Sequence, residues 1–133
     1  MAQIAVAPLV MKDCTMTLGA NSYEKHLDSV VFNPKSSQIA WQGLTPSASF
    51  TDQSSPTWTC DLSFVQDWET TNSLSKYLLA NAGTSIVAVF KPKAAGAATI
   101  TATITLVPGP IGGAVNKYAP ATVSCGSTVP VLT

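Results

Sequence analysis

Arginine is absent from this chain. All seven basic residues are lysines, seven acids cancel them, and the formal net charge is zero. Charged residues make up 11% of the 133 positions, against a typical ~25%. Tight binding to a phosphate backbone needs clustered Lys and Arg, whose contacts release counterions. Scattered lysines matched by acids argue against that class. A nucleic acid meeting this surface is expected to pass rather than stick. The same shortage removes the charge that keeps a free monomer soluble and apart. Two readings stay open: a secreted β-domain with a Thr/Ser surface, or a subunit largely covered by copies of itself.

Catalytic and metal-binding residues are equally scarce. The single histidine, His26, reads as part of a strand with Glu24 and Asp28 on its own face. Such a stripe suits a solvated or interfacial face better than a site. No second histidine completes a common zinc set, and no G-x-S-x-G elbow exists. Asp61, Asp67 and Glu69 read as surface and capping acids. No glycine-rich loop precedes a helix, so no phosphate cradle is expected. The reading is therefore not an enzyme, with no cofactor and no metal. Three cysteines (14, 60, 125) are an odd number at wide spacings, which is not a disulfide framework. Cys60 reads as a small buried residue, and free thiols fit synthesis in a reducing cytoplasm. The opening "MAQIAVAPLVMKD" has no basic residue before its short apolar run and does not read as a secretory signal. No run is long enough for a transmembrane helix, so no membrane partner is expected.

What is present is β-pattern. "ATITATITLV" (98–107) alternates strictly. Ile100, Ala102, Ile104 and Leu106 take one face; Thr99, Thr101, Thr103 and Thr105 take the other. A face of four threonines and no charge belongs neither to dry core nor to ordinary surface. "TWTCDLSFVQD" (57–67) repeats the pattern, with Trp58, Cys60, Leu62 and Phe64 opposite Thr57, Thr59, Asp61 and Ser63. "CTMTL" (14–18), "YEKHLDSVVF" (23–32, stopped by "NP" at 33–34) and "ATVSC" (121–125) read as further strands. "SIVAVFKP" (85–92) is apolar on both faces and is expected to be covered on both. One helix is expected at about 72–81, with Leu74, Tyr77, Leu78 and Ala82 at helical spacing. Thr70, Thr71 or Asn72 would cap its start, and Gly83 would follow its end.

Many strands and one helix predict a mainly β chain. The expected fold is an antiparallel β-sandwich or small barrel with one packed helix. The chain reads as a single domain, 1–133, with an N-terminal arm (1–13), a long loop (33–57) and a C-terminal tail (126–133). The loop holds one short strand, "QIAWQG". Trp41 and Phe50 in the loop, Leu9 in the arm and Val131 in the tail are candidates for contacts between subunits. Phe50 either anchors an assembly or folds back on its own domain.

Two longer runs carry a resemblance. "WTCDLSFVQDWETTNSLSKYLLANAGTSIVAVFKPK" and "ATITATITLVPGPIGGAVNKYAPATVSCGS" together resemble the major tail tube proteins of long-tailed bacteriophages. In particular they resemble the short subunits of phages infecting Gram-positive, actinobacterial-type hosts. The features are the Trp58 strand, Asp67–Trp68 before the helix, the "F-K-P" strand end and the segment Pro108 to Ser124. They cover roughly residues 57–126 and are structural patterns, not a catalytic signature.

The resemblance implies β-sandwich subunits with a flanking helix that assemble into rings, usually hexameric. Stacked rings form a hollow tube that conducts double-stranded DNA into the host, with loops and terminal arms linking ring to ring. It implies further partners: a tape measure protein and DNA transiently in the lumen, and tail tip and head-proximal terminator proteins. The location implied is the virion tail, after assembly in the host bacterial cytoplasm. Lumens in the family are often acidic, whereas this chain has few acids, so a hydroxyl-lined wall is expected. Thr99, Thr101, Thr103 and Thr105 are the candidate lumen-facing residues. The competing wall is the Thr57, Thr59, Asp61 and Ser63 face. Rival readings are a head–tail connector or capsid decoration protein and an immunoglobulin-like adhesion module.

Overall fold

A computed structural model describes residues 2–133; Met1 of the expected arm lies outside the described residues. Ten strands and one helix follow in order. They are β1 (Thr15–Leu18), β2 (Asn21–Ser22), β3 (Leu27–Lys35), β4 (Gln38–Gln42), β5 (Ser49–Gln53) and β6 (Thr57–Val65). Then come α1 (Leu74–Ala80), β7 (Ser85–Lys91), β8 (Ile100–Thr105), β9 (Pro120–Ser127) and β10 (Val131–Leu132). Eight strands form one antiparallel sheet in the order β2-β1-β7-β8-β9-β6-β3, with β10 alongside β8. β4 and β5 form a separate two-stranded sheet.

The large sheet folds over on itself. Its weak line is the β8–β9 junction, paired only at Ile104↔Ser127 and Thr105↔Gly126. About that line the β3-β6-β9 layer closes on the β8-β7-β1 layer, and Phe32 of β3 meets Phe90 of β7 with ring centroids 6.4 Å apart. Period-two alternation supplies the filling: Cys60, Leu62 and Phe64 from β6, Val123 and Cys125 from β9, Ile104 from β8 and Phe90 from β7 are buried. Each large apolar side chain removed from water contributes about 1.5–3 kcal/mol. The fold is thus the expected antiparallel sandwich. The barrel alternative is corrected: no pairing joins β3 to β1 or β2, and a groove of about 300 Å³ opens between them.

The helix covers one end of the core with Leu74 and Leu78. Its cap is Ser73, not Thr70, Thr71 or Asn72. The Ser73 hydroxyl accepts from Lys76 N at 3.4 Å and donates to Asp67 O at 2.5 Å. Asn72 is in the left-handed region (φ 60°), and its carbonyl accepts the buried Tyr23 hydroxyl at 3.1 Å. Gly83 follows the helix with φ 85°, as its place in the sequence predicts. At the β1–β2 turn Gly19 has φ 63°, and a Cβ there would lie 2.8 Å from Ile86 Cδ1.

Several local expectations are corrected. Asn33–Pro34 does not stop its strand: β3 runs on to Lys35, with Pro34 opposite Trp58. β3 is the sheet's edge, where a strand tolerates proline. The 33–57 segment is not a loop, because β4 and β5 pair along it. The 126–133 segment is not a free tail, because β9 extends to Ser127 and β10 docks on β8. β7 is covered on one face only: Ala88 and Phe90 are buried, while Val87 is 49% exposed.

Candidate assembly surfaces

The β4–β5 hairpin stands apart from the core. Its register sets Ile39 opposite Asp52 and Trp41 opposite Phe50, so these four share one face. Gln38, Gln53, Ala40, Thr51, Gln42 and Ser49 take the other face. The Trp41 and Phe50 rings pair at 5.9 Å, yet remain 61% and 64% exposed. Phe50 therefore does not fold back on its own domain. At the turn, Gly43 N donates to Ala48 O at 2.7 Å, and Leu44 is fully exposed. Ser37 and Ser54 close the root, Ser37 N donating to Ser54 Oγ at 2.8 Å. An isolated two-stranded hairpin is at best marginally stable in water. This one spends its apolar side chains on a face that nothing in the subunit covers.

Two other segments behave alike. The arm is exposed from residue 2 to 13, including Ile4 and Val6. Its Leu9 is half exposed beside Pro92 and residues 96–98, and Asp13 O accepts from Ala94 N at 2.8 Å. Residues 107–119 form no regular structure and expose Ile111, Val115 and Tyr118. The Gln66 side chain pins that loop to the body: its Nε2 donates to Gly112 O at 2.9 Å, and its Oε1 accepts from Gly112 N at 3.0 Å. The sequence reasoning missed this loop. Its signal was Pro108, Gly109, Pro110, Gly112 and Gly113 between two patterned strands. Ile39 was also missed, although it lies two residues before Trp41 on one strand face.

The outer faces of the two layers differ. On the β8 layer, Thr101 lies opposite Val89 on one side and Val131 on the other, and Thr103 lies opposite Val87. Thr99 precedes β8, and its N–H donates to Thr133 O at 3.0 Å. Thr99, Thr101 and Thr103 are half-buried, and Thr105 is exposed. The threonine stripe is thus a mosaic of threonine and valine, not an open row of hydroxyls. On the other layer, Thr59, Asp61 and Ser63 lie opposite Gly126, Ser124 and Thr122 of β9. Asn33 donates to the Asp61 carboxylate across the β3–β6 ladder. That face is polar apart from Val31 and the Val65–Pro120 pair at one end.

Of the four candidate contact residues, the structure brings Trp41 and Phe50 together. Leu9 and Val131 lie apart from that pair, each against the β7–β8 hairpin. His26 is corrected: it sits in a turn, not on a strand, and packs edge-on against Tyr23 at 5.6 Å. Glu24 is in the same turn, and its carboxylate accepts from Met16 N at 3.4 Å. No group of three or more His, Cys, Asp or Glu among the described residues could hold a metal ion. No helix among them is long and apolar enough to cross a membrane. Cys60 and Cys125 face each other as free thiols. Burial, then the neighbouring Cys125, pushes the Cys60 thiol up to about 12. The Thr70 hydroxyl and N–H, then the Glu69 N–H, hold the Asp67 carboxyl down at about 2.

No family model matches the chain, and no curated protein matches it at a significant level.

Proposed function

We propose that this chain is a structural subunit that self-assembles into stacked rings forming a hollow tube, the tail tube of a long-tailed phage. The carrying observation is the β4–β5 hairpin, with Trp41 and Phe50 held together and exposed on an apolar face. Apolar clusters of this kind on otherwise weakly charged chains mark protein contacts. The arm, the 107–119 loop and the absence of net charge point the same way. Six-fold rings, passage of double-stranded DNA and contacts with tape measure, tip and terminator proteins follow from the resemblance.

For the channel wall, the outer face of β3-β6-β9 is better suited than the β8 threonines. It is mostly polar, and its central charge is the carboxylate of Asp61, which repels phosphate. The β8 threonines lie among valines, which suits contact with protein. Sedimentation velocity of the untagged chain over a wide concentration range tests self-assembly. Particle mass that keeps growing is expected. A single small mass at every concentration overturns the proposal.

A further inference from the structure

The hairpin's apolar face requires a floor, and the body offers two sheet faces. The β3-β6-β9 face carries Asp61 at its centre, and its cation, Lys35, sits near the hairpin's own root. Laying Trp41 and Phe50 over Asp61 would strip water from a carboxylate without replacing it. Asp52, on the hairpin's apolar face, would meet Asp61 as a like charge. No acid lies within β1, β7 or β8; Asp13, two residues before Thr15, is at the rim of that face. Val89 and Val131 flank Thr101, and Val87 and Val131 are 49% and 57% exposed. Adjacent β-branched side chains give a flat floor on which a second sheet packs about 10 Å away.

The charges select the register. The hairpin's apolar face bears one charge, Asp52, opposite Ile39. The β7 side of the floor bears one charge, Lys91, opposite Thr15. Phe50 to Asp52 and Val89 to Lys91 are each one two-residue step along a strand, about 6.8 Å. With β5 laid along β7 in the same direction, Phe50 lies over Val89 when Asp52 reaches Lys91. In one subunit the hairpin's face stays exposed, so the floor belongs to another copy.

We infer that the β4–β5 hairpin of one copy docks on the β7–β8 face of a second copy, with Phe50 over Val89 and Asp52 paired with Lys91. This rests on the self-assembly reading and names its contact. Hairpin and floor are different surfaces, so the contact is head-to-tail and repeats into a ring or filament.

Reversing the charges tests it. Asp52→Lys sets like charges together and is expected to raise the concentration needed for assembly by about tenfold or more. Lys91→Asp does the same. The double variant Asp52→Lys/Lys91→Asp is expected to return to within about threefold of the parent chain. Thermal melting of each variant checks that the subunit still folds. A double variant no better than the singles overturns the contact, as do singles that assemble like the parent. If the parent chain itself never assembles, the self-assembly reading falls first and takes this contact with it.

Discussion

The rings of Phe32 and Phe90 lie 6.4 Å apart although their strands are four spacings apart in one continuous sheet. In a flat sheet that distance would be about 19 Å. The pair therefore reports the closure of one layer on the other. Phe90→Ala is expected to cost about 3–5 kcal/mol. A double-mutant cycle with Phe32→Ala should give a coupling of about 0.5–1.5 kcal/mol by urea unfolding. Additive effects would mean that the two rings do not hold the layers together.

Trp41→Ala separates assembly from folding. The side chain packs on Phe50 and on nothing in the core, so subunit stability should change by no more than about 0.5 kcal/mol. Assembly, followed by sedimentation, should be lost. A large drop in melting temperature would show that the hairpin belongs to the cooperative unit.

Lysines placed on the two outer faces should act differently. Thr101→Lys with Thr103→Lys puts cations among Val87, Val89 and Val131 and should block assembly. Thr59→Lys with Ser124→Lys leaves assembly intact and makes the tubes retain duplex DNA at low salt, with retention falling as salt rises. If the β8 pair assembles normally and retains DNA, the wall assignment is reversed.

Asp67 shapes the acid limb of the subunit's stability, and Cys60, with Cys125 and Tyr23 also raised by burial, shapes the alkaline one. Asp67 is held at about 2 when folded, against an ordinary 3.8, by its hydrogen bonds to Thr70 and Glu69. Its contribution is present above pH ~4 and lost as pH falls towards 2. Asp67→Asn should flatten the acid limb of a melting-temperature profile. Cys60 is raised from 9.0 to about 12, so its contribution is full below pH 9 and lost as pH rises towards 12. Cys60→Val should make the alkaline limb shallower, leaving the part due to Cys125 and Tyr23. Native thiol labelling at pH 8 should reach half-buried Cys14 before Cys60 or Cys125.

Ser73→Ala removes the acceptor for Lys76 N and frees Asp67 O. Loss of an N-cap costs about 1 kcal/mol, readable as a lower urea midpoint. Thr70→Ala should leave the cap itself unchanged.

The strands with the clearest alternation, β6 and β8, were legible because regularly spaced apolar side chains, four in β6 and three in β8, face one core. The helix was legible from Leu74 and Leu78 at i and i+4. The cap lies one to three residues beyond the expected Thr70, Thr71 or Asn72, because four adjacent residues, Thr70 to Ser73, can all serve. Backbone geometry decided among them: Asn72 has positive φ and Ser73 is extended. β5 was hidden because Ser49, Thr51 and Gln53 alternate with only one large apolar residue, Phe50. Its strand character comes from its partner, Trp41. β10 was hidden because Val131 and Leu132 form a strand only through pairing with Thr101 and Ile100. The two threonine faces were legible as stripes. Their neighbours were not, because register across strands is not written in any one of them. Val87 and Val89 beside Thr101 and Thr103 change what that stripe can face.

The central claim is that this subunit builds a tube. Negative-stain electron microscopy of the purified, untagged protein across a concentration series tests it most directly. The account predicts hollow, evenly striated tubes above a threshold concentration, absent from Trp41→Ala. Monomers at the highest concentration, or closed particles that never stack, would contradict it.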